Sequence, residues 1–469
     1  MTNTTPLPVS PPALPASDRA FLGHPVGLAY LAFTEAWERY SYYAMLTMLG
    51  RYLVKQLLLP GHIENIGGFT AFRGVVESIF GPLSVVALGS QIVGIYSGLV
   101  YVSPILGGFL ADRWLGRTRT VTLGALLMVL GHFLMAFDAP FLLALVCLLF
   151  GVGCFKGNLA SQVGHLYGEK DLRRADAFQI YYIAVNAGVI IAPLTAGTLG
   201  EIYGWHYGFA AAGVGMVLGL TVYLLGRKWL PAEEKAGKNA AVVHVSLQRK
   251  EWNAVFLLIL LLPVLACGSV GNQELFNSYL IWAPDHLDMR FFGQVMPTSW
   301  LITIDSVVSV SFLVLAVAFW RAWAKRFREP SEVGKIAIGL ALSASGVFML
   351  VIASQIAAVD GRASIMWAMA FHVLNAMGFA NVFPVGLALY ARAAPKAVSG
   401  TMIGMYFLHL FAGNFLVGWL GGLLERMPGA QFWLIHVTMV GGASLIFFLA
   451  WRFCAHILAP AGDAPIQSQ

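Results

Sequence analysis

Residues 35–43 read Glu35-Ala36-Trp37-Glu38-Arg39-Tyr40-Ser41-Tyr42-Tyr43, inside a mainly apolar run from Val26 to Gly50. A run of that length crosses a bilayer as one α-helix, at about 20 residues per crossing. On a helix, offsets of three, four, seven and eight residues place Glu35, Glu38, Arg39, Tyr42 and Tyr43 on a single stripe. Two carboxylates and a guanidinium at bilayer depth each cost on the order of several kcal/mol. A chain keeps them there when they face a wet cavity or one another. The stripe therefore predicts a membrane bundle with a polar interior, and it is the strongest pointer to what that interior does.

The composition agrees. Of 469 residues, 58% are hydrophobic and 11% charged, against about 25% charged in a soluble domain. Mean hydropathy is +0.73, so the chain reads as a multi-pass integral membrane protein with the lipid bilayer as its main partner. The net charge of +6 is scattered through short loops, which excludes a nucleic-acid-binding patch. Cys147, Cys154, Cys267 and Cys454 lie in apolar segments without metal-ligand spacing, so they read as packing residues, and no metal or other cofactor is expected. Residues 1–20 are polar and lack the basic start, apolar run and cleavage site of a signal peptide. They read as part of a disordered tail.

Twelve segments are long enough to span: 26–50, 84–111, 119–137, 139–166, 175–200 and 206–226, then 253–284, 298–320, 334–357, 365–391, 398–424 and 431–456. The expected organisation is a cytoplasmic tail over 1–25, a six-helix bundle over 26–226, a cytoplasmic linker over 227–252, a second bundle over 253–456 and a tail over 457–469. Residues 51–83 are too mixed to cross and read as an external loop with a short amphipathic helix. With the N-terminus inside, most of the 29 Lys and Arg residues fall on the cytoplasmic side. Both termini are thus expected in the cytoplasm. Two six-helix halves joined by a cytoplasmic linker resemble the layout of major facilitator transporters, whose site lies near the midplane between the halves. The expected fold class is an all-α, twelve-helix major facilitator fold.

Three further motifs refine this. Gly107-Gly108-Phe109-Leu110-Ala111-Asp112-Arg113-Trp114-Leu115-Gly116-Arg117-Thr118-Arg119 ends the second span. Its glycines allow close helix approach. Asp112, Arg113 and Arg117 make a cytoplasmic charge cluster able to pair differently in two conformations, hence a gating candidate. This stretch resembles the loop signature of the major facilitator superfamily. The fourth span holds Gly151-Val152-Gly153-Cys154-Phe155-Lys156-Gly157-Asn158. Lys156 is too deep for easy escape to the interface, and an ammonium there needs a partner. The first-span carboxylates are the obvious candidates, for function or as a purely structural pair. In the fifth span Tyr182 and Asn186 are four apart and share a face, suited to a peptide-like group or equally to a helix–helix hydrogen bond.

Taken together, the Glu35-x-x-Glu38-Arg39-x-x-Tyr42-Tyr43 stripe, the 107–119 loop, Lys156 and the Tyr182/Asn186 helix resemble the proton-dependent oligopeptide transporters of the major facilitator superfamily. The match is strong through about residue 210 and continues more weakly through Trp282-Ala283, Arg328-Glu329-Pro330-Ser331, Pro384-Val385-Gly386-Leu387 and Ala394-Pro395. The resemblance implies that Glu35, Glu38 and Arg39 form a proton-coupling cluster with Lys156 as charge partner. It also implies that Tyr42, Tyr43, Asn186 and Tyr96 surround a bound peptide.

The second half departs from that family. Phe379 stands where a tenth-span glutamate commonly receives the peptide amine, Asp305-Ser306 replaces Asn-Pro, and Leu46 replaces an arginine found in several members. A seventh-span Glu-Gln pair is altered to Asn272-Gln273-Glu274, followed by Asn277-Ser278. Asp305 or Glu274 is therefore the candidate acceptor for a substrate ammonium, assisted by Asn381, with Asn277 as a further cavity candidate. Asp305 is equally readable as a proton-coupling or gating acid, and Glu274 reads better as a gating one. His132, His372 and His409 read as packing residues rather than proton carriers. The family's nitrate branch relies on a first-span histidine, and none occurs over 26–50. Tyr279, Trp282 and Trp300 fit either the pocket or the membrane interface.

The expected function is a proton-coupled symporter that imports di- and tripeptides by alternating access, with protons and small peptides as ligands. A monomer in a bacterial-type inner membrane is expected. The alternatives are an importer of another peptide-like or amino-acid solute and a non-transporting peptide sensor. An enzyme is not expected, because no nucleophile–base pair, phosphate loop or metal spacing accompanies the buried acids.

Overall fold

The structure is a computed structural model that describes residues 16–168, 171–230, 248–291, 293–395, 398–454 and 456–458. Much of the expected tails and the middle of the 227–252 linker, Lys235 and Lys238 included, lie outside the described residues. In lipid no solvent satisfies the backbone, so each apolar run must bond its own N–H and C=O groups, and helices result. The first half contains α1 (Val26–Tyr52), α2 (Phe69–Phe80), α3 (Val85–Leu110), α4 (Arg117–Leu134), α5 (Phe141–His165), α6 (Arg173–Ala192), α7 (Thr198–Tyr203) and α8 (Trp205–Gly226). The second contains α9 (Arg249–Gln273), α10 (Ser278–His286), α11 (Trp300–Ala324), α12 (Glu332–Asp360), α13 (Met366–Ala393), α14 (Ser399–Tyr406), α15 (Leu408–Gly421) and α16 (Gly429–Cys454).

Among the described residues ten helical stretches are long and apolar enough to cross a membrane. Helices α1 and α4 are not among them, since Glu35, Glu38 and Arg39 interrupt one and Arg117 and Arg119 open the other. Both pack inside the first bundle, α1 on α6 and α8, α4 on α5 and α8, which completes the twelve-span, two-bundle, all-α fold. Among the described residues five spans are irregular, the first and second each ending in a π-type turn, at Leu53–Leu57 and Ala111–Leu115. The fifth runs on through a π-type turn at Pro193–Gly197 into α7, the seventh breaks at Glu274–Asn277, and the eleventh breaks at Phe407. Helix α2 is amphipathic, burying Phe69 and Val76 while Val75 and Ile79 face outward. Two-residue ladders, Leu287–Asp288 parallel to Ala363–Ser364 and Arg290–Phe291 antiparallel to Gln294–Val295, follow α10 and α12.

Each half has its own core. Residues from Leu28 to Tyr223 form one continuous cluster, and the second half holds two, one around Tyr390 and Tyr406 and one around Trp282 and Trp433. Close approach depends on glycine at many positions, and two of them illustrate it within and between the halves. A Cβ on Gly107 would collide with the Gly153 carbonyl, and one on Gly94 would lie 2.6 Å from the Asn414 carbonyl across the seam between the halves.

That seam is uneven along the bundle axis. At the end away from the linker, Thr298 N and Ser299 N donate to Glu201 at 2.8 and 2.7 Å, and Arg51 pairs with the same carboxylate. Trp300 Nε1 donates to Thr198 Oγ1 at 2.7 Å, Thr303 Oγ1 to the Ile190 carbonyl at 2.9 Å, and Asn277 Nδ2 to the Ser90 carbonyl at 3.0 Å. Ser84 and Glu425 meet at 2.5 Å. Among the described residues at the linker end, the polar contacts include Arg117–Asp112 at 3.9 Å, Arg117–His165 at 3.2 Å, Arg392–Glu332 at 2.5 Å and Lys335–Glu329, each within one half. The halves are thus closed at the end away from the linker by a set of hydrogen bonds that run from one to the other.

Candidate functional site

The stripe on α1 closes on itself. Arg39 Nε lies 3.1 Å from Glu35 Oε1 and also pairs with Glu38, while the guanidinium stands 5.6 Å from the Tyr42 ring centroid. All three charged side chains are buried, Glu38 completely. The pairing leaves loose ends. Among the described residues, Glu35 Oε2, Glu38 Oε1 and Arg39 Nη2 have no hydrogen-bond partner, and neither has the buried Tyr96 hydroxyl. Buried polar atoms of this kind are rare in a finished interior, because each costs about 1–3 kcal/mol, more when charged.

Around it, Tyr42 and Tyr43 meet edge to face at 5.3 Å, and Tyr43 lies 5.6 Å from Phe276 of the second half. Lys156 does not reach a carboxylate within 4 Å among the described residues. Its ammonium stands 5.5 Å over the Tyr101 ring, close enough for its charge to act on Glu38 and Glu35. A cation over an aromatic face is held weakly compared with an ion pair. Tyr101 in turn lies near Gln273 of the second half.

On α6 the residue beside the stripe is Tyr181. It is buried, and close enough for the Glu35 charge to act on it. Tyr182 is 62% exposed on the neighbouring face, where the Asn186 amide donates to its backbone carbonyl at 2.8 Å. Successive helix residues point about 100° apart, so Tyr181 and Tyr182 cannot serve the same cluster.

In the second half the candidates have partners already. Asp305 Oδ1 lies 3.0 Å from His372 Nδ1, and His372 Nε2 lies 2.9 Å from the Tyr279 hydroxyl. Asp305 also acts electrostatically on Tyr43, so it looks across to the stripe. Glu274 is fully buried at the break between α9 and α10, with His436 as partner. Asn277 sits in the seam against Ser90, and Asn381 is occupied, accepting from Trp320 Nε1 at 2.7 Å and donating to the Met377 carbonyl at 2.8 Å. Phe379 stacks on Phe383 at 5.3 Å and lines a small cavity with Ser269, Asn272 and Gln273. Leu46 is buried. Of the open aromatics, Tyr279 and Trp282 belong to the second-half core and Trp300 to the closed end.

Two groups near these sites carry no signal of their own in the sequence. Tyr181 is legible only as the neighbour of Tyr182. His372, read as a packing residue, is hydrogen-bonded to a carboxylate 67 positions away. Glu201 carried no motif. At the linker end Arg113 lies over Phe109 at 5.3 Å, and Arg117 holds Asp112 only at 3.9 Å, a loose arrangement compatible with re-pairing.

The model of the POT family matches residues 118–255 and 244–434. A di-/tripeptide transporter of Lactococcus lactis subsp. lactis is 30% identical, covering 84% of this chain and 88% of that protein. The peptide transporter YePEPT of Yersinia enterocolitica is 27% identical over 86% of this chain and 89% of its own. A mutant of peptide transporter POT crystallised with alafosfalin superposes with a TM-score of 0.79 at 25% identity, covering 94% of this chain and 96% of that one. Matched along both halves, in sequence and in fold, the chain belongs to the POT family of membrane transporters.

Proposed function

We propose that the protein is a proton-coupled symporter that imports di- and tripeptides by alternating access. The peptide substrates of its relatives support the cargo. The observation that carries the reading is the unfinished Glu35/Glu38/Arg39 cluster, with two carboxylate oxygens and one guanidinium nitrogen lacking partners. Protonating one acid neutralises it and loosens its hold on Arg39 Nε, so the guanidinium, whose Nη2 already lacks a partner, turns to a substrate carboxylate. Lys156, held only over Tyr101, is the second cation in reach. Proton and peptide then favour each other's binding, which is linkage through one two-state element. Tyr42, Tyr43, Tyr96 and Asn186 line the space, and Asp305, facing Tyr43, receives the ammonium.

The positive-inside pattern puts the linker and both termini in the cytoplasm, so a bundle closed at the far end is open inward. The loosely paired Asp112, Arg113 and Arg117 re-pair when that end shuts. The membrane potential adds about 2.3 kcal/mol per charge per 100 mV. A monomer in a bacterial-type inner membrane suffices for this cycle.

A second reading, import of another peptide-like or amino-acid solute, is favoured by one observation. Phe379 and Phe383 present stacked rings where the family commonly has an acid. Uptake of amino acids, dipeptides and tripeptides into proteoliposomes under an imposed proton gradient separates the two. Dipeptide accumulation is expected, and uptake of free amino acids alone overturns the cargo. Glu38→Gln should abolish proton-driven accumulation yet keep peptide exchange, and full accumulation by that variant removes Glu38 from the coupling path.

A further inference from the structure

Two histidine–carboxylate pairs are buried in the second half, and counting their protons separates them. In the first, His372 Nδ1–H donates to Asp305, and Nε2 accepts from the Tyr279 hydroxyl. A neutral imidazole and an ionised Asp305 satisfy both contacts, so no extra proton is needed.

The second pair is different. His436 Nδ1 lies 2.9 Å from the Phe432 carbonyl, which can only accept, so Nδ1 carries a hydrogen. His436 Nε2 lies 2.8 Å from Glu274 Oε1. A carboxylate can also only accept, and a neutral imidazole with hydrogen on Nδ1 offers a lone pair at Nε2. The 2.8 Å contact therefore requires one more proton, on Nε2 or on Glu274. Both side chains are fully buried, so no water replaces it at the surface. We propose that Glu274 and His436 form a buried proton-binding site, sharing one titratable proton that holds the break in the seventh span shut against the first half.

The break ties this proton to the seam. Glu274 Oε2 accepts from Ser278 N at 3.0 Å, the first N–H of α10. Between them Asn277 reaches the Ser90 carbonyl, and Phe276 lies against Tyr43. When the proton leaves for bulk water, a carboxylate oxygen and a nitrogen lone pair face each other, and the pair separates. The hold on Ser278 and the seam contacts beside it then slacken. The titratable groups around the pair come from several helices. Trp433 lies 5.4 Å from His436 and links it at 6.5 Å to Tyr279, behind which stand His372 and Asp305. On α10 His286 stacks on Trp282. On α15 His409 is bonded to the Tyr406 carbonyl. The charged residues of α9 precede Trp252, those of α12 are Glu332, Lys335 and Asp360 toward its ends, Arg452 lies near the end of α16, and α3 offers Ser90.

This proposal does not rest on coupling at Glu35 and Glu38, and its test involves no transport. Hydrogen–deuterium exchange of residues 274–286 is measured in the full-length protein from about pH 5 to about pH 9, a range spanning histidine titration. Rates are corrected for the intrinsic pH dependence of exchange. The wild type should lose protection as pH rises. Glu274→Gln should stay protected as pH rises, because its amide donates to the neutral Nε2 and accepts from Ser278, so the contact needs no shared proton. If that variant fails to fold, His436→Gln serves, donating to the Glu274 carboxylate and likewise giving a flat profile. A flat wild-type profile, or a rise in the variant matching the wild type, overturns the proposal.

Discussion

The two halves bury their acids in opposite ways. In the first, Glu35 and Glu38 share one guanidinium and leave oxygen atoms without partners. In the second, Asp305 and Glu274 are each tied to a histidine on another helix. The first arrangement is electrostatically strong and chemically incomplete. The second is complete within itself, given the right number of protons. On the proposed cycle, incompleteness marks the groups that change partners most readily, whereas a completed acid such as Asp305 takes a substrate group only in competition with the histidine it already holds.

The contrast is most exposed at Arg39. Removing one member of a buried ion pair costs about 3–5 kcal/mol, because the remaining charge is left uncompensated. Arg39→Ala strands two carboxylates, so the unfolding free energy in detergent should fall by about that much at neutral pH. His372→Ala leaves Asp305 short of a single donor and should cost less, about 1–3 kcal/mol. Equal losses in the two variants would break the comparison.

Asp305→Asn sharpens it on the binding side. Truncating a buried charged partner costs about 2–5 kcal/mol, so dipeptide affinity should weaken by roughly 30-fold or more. An N-acetylated dipeptide, which has no ammonium, should be unaffected. Unchanged dipeptide affinity would leave Asp305 as a structural partner of His372.

The smallest effect lies outside the bilayer. Asp171 accepts from Arg173, which also bonds Asp18 and the Gly23 carbonyl, fastening the start of the chain to α6. The Arg173 hydrogen bonds hold the Asp171 carboxyl below its usual range. A depressed carboxyl contributes stability above its unfolded value, and this is lost as pH falls through the lowered one. Exchange over residues 16–24 should therefore quicken modestly in Asp171→Asn at neutral pH, and the difference from wild type should vanish in acid. A difference that persists in acid would mean that the arginine, not the carboxylate charge, does the fastening.

Much of this was legible beforehand where spacing alone decides contact. The stripe at Glu35, Glu38, Arg39, Tyr42 and Tyr43 needs only helix periodicity, and the twelve apolar segments need only bilayer thickness. What was not legible required two helices. Lys156 called for a partner, and the carboxylates were the obvious choice, yet its depth beside Tyr101 puts it over a ring. His436 drew no notice because its acid lies 162 positions away. The step from Tyr182 to Tyr181 turns on the rotation of α6 about its own axis, which packing against α1 decides and sequence spacing does not.

Glu201 belongs to the first half by sequence, yet its carboxylate occupies the N–H groups at the mouth of α11 in the second. It acts as that helix's borrowed cap. Caps of this kind are worth about 0.5–2 kcal/mol, and a negative charge at a helix start adds about 0.3–1 kcal/mol. Parting the halves at this end must strip α11 of its cap and leave Arg51 without its acid. On the proposed alternating cycle, the resting bias is thus written into the ends of a helix, and cargo that opens the far side has first to displace a carboxylate.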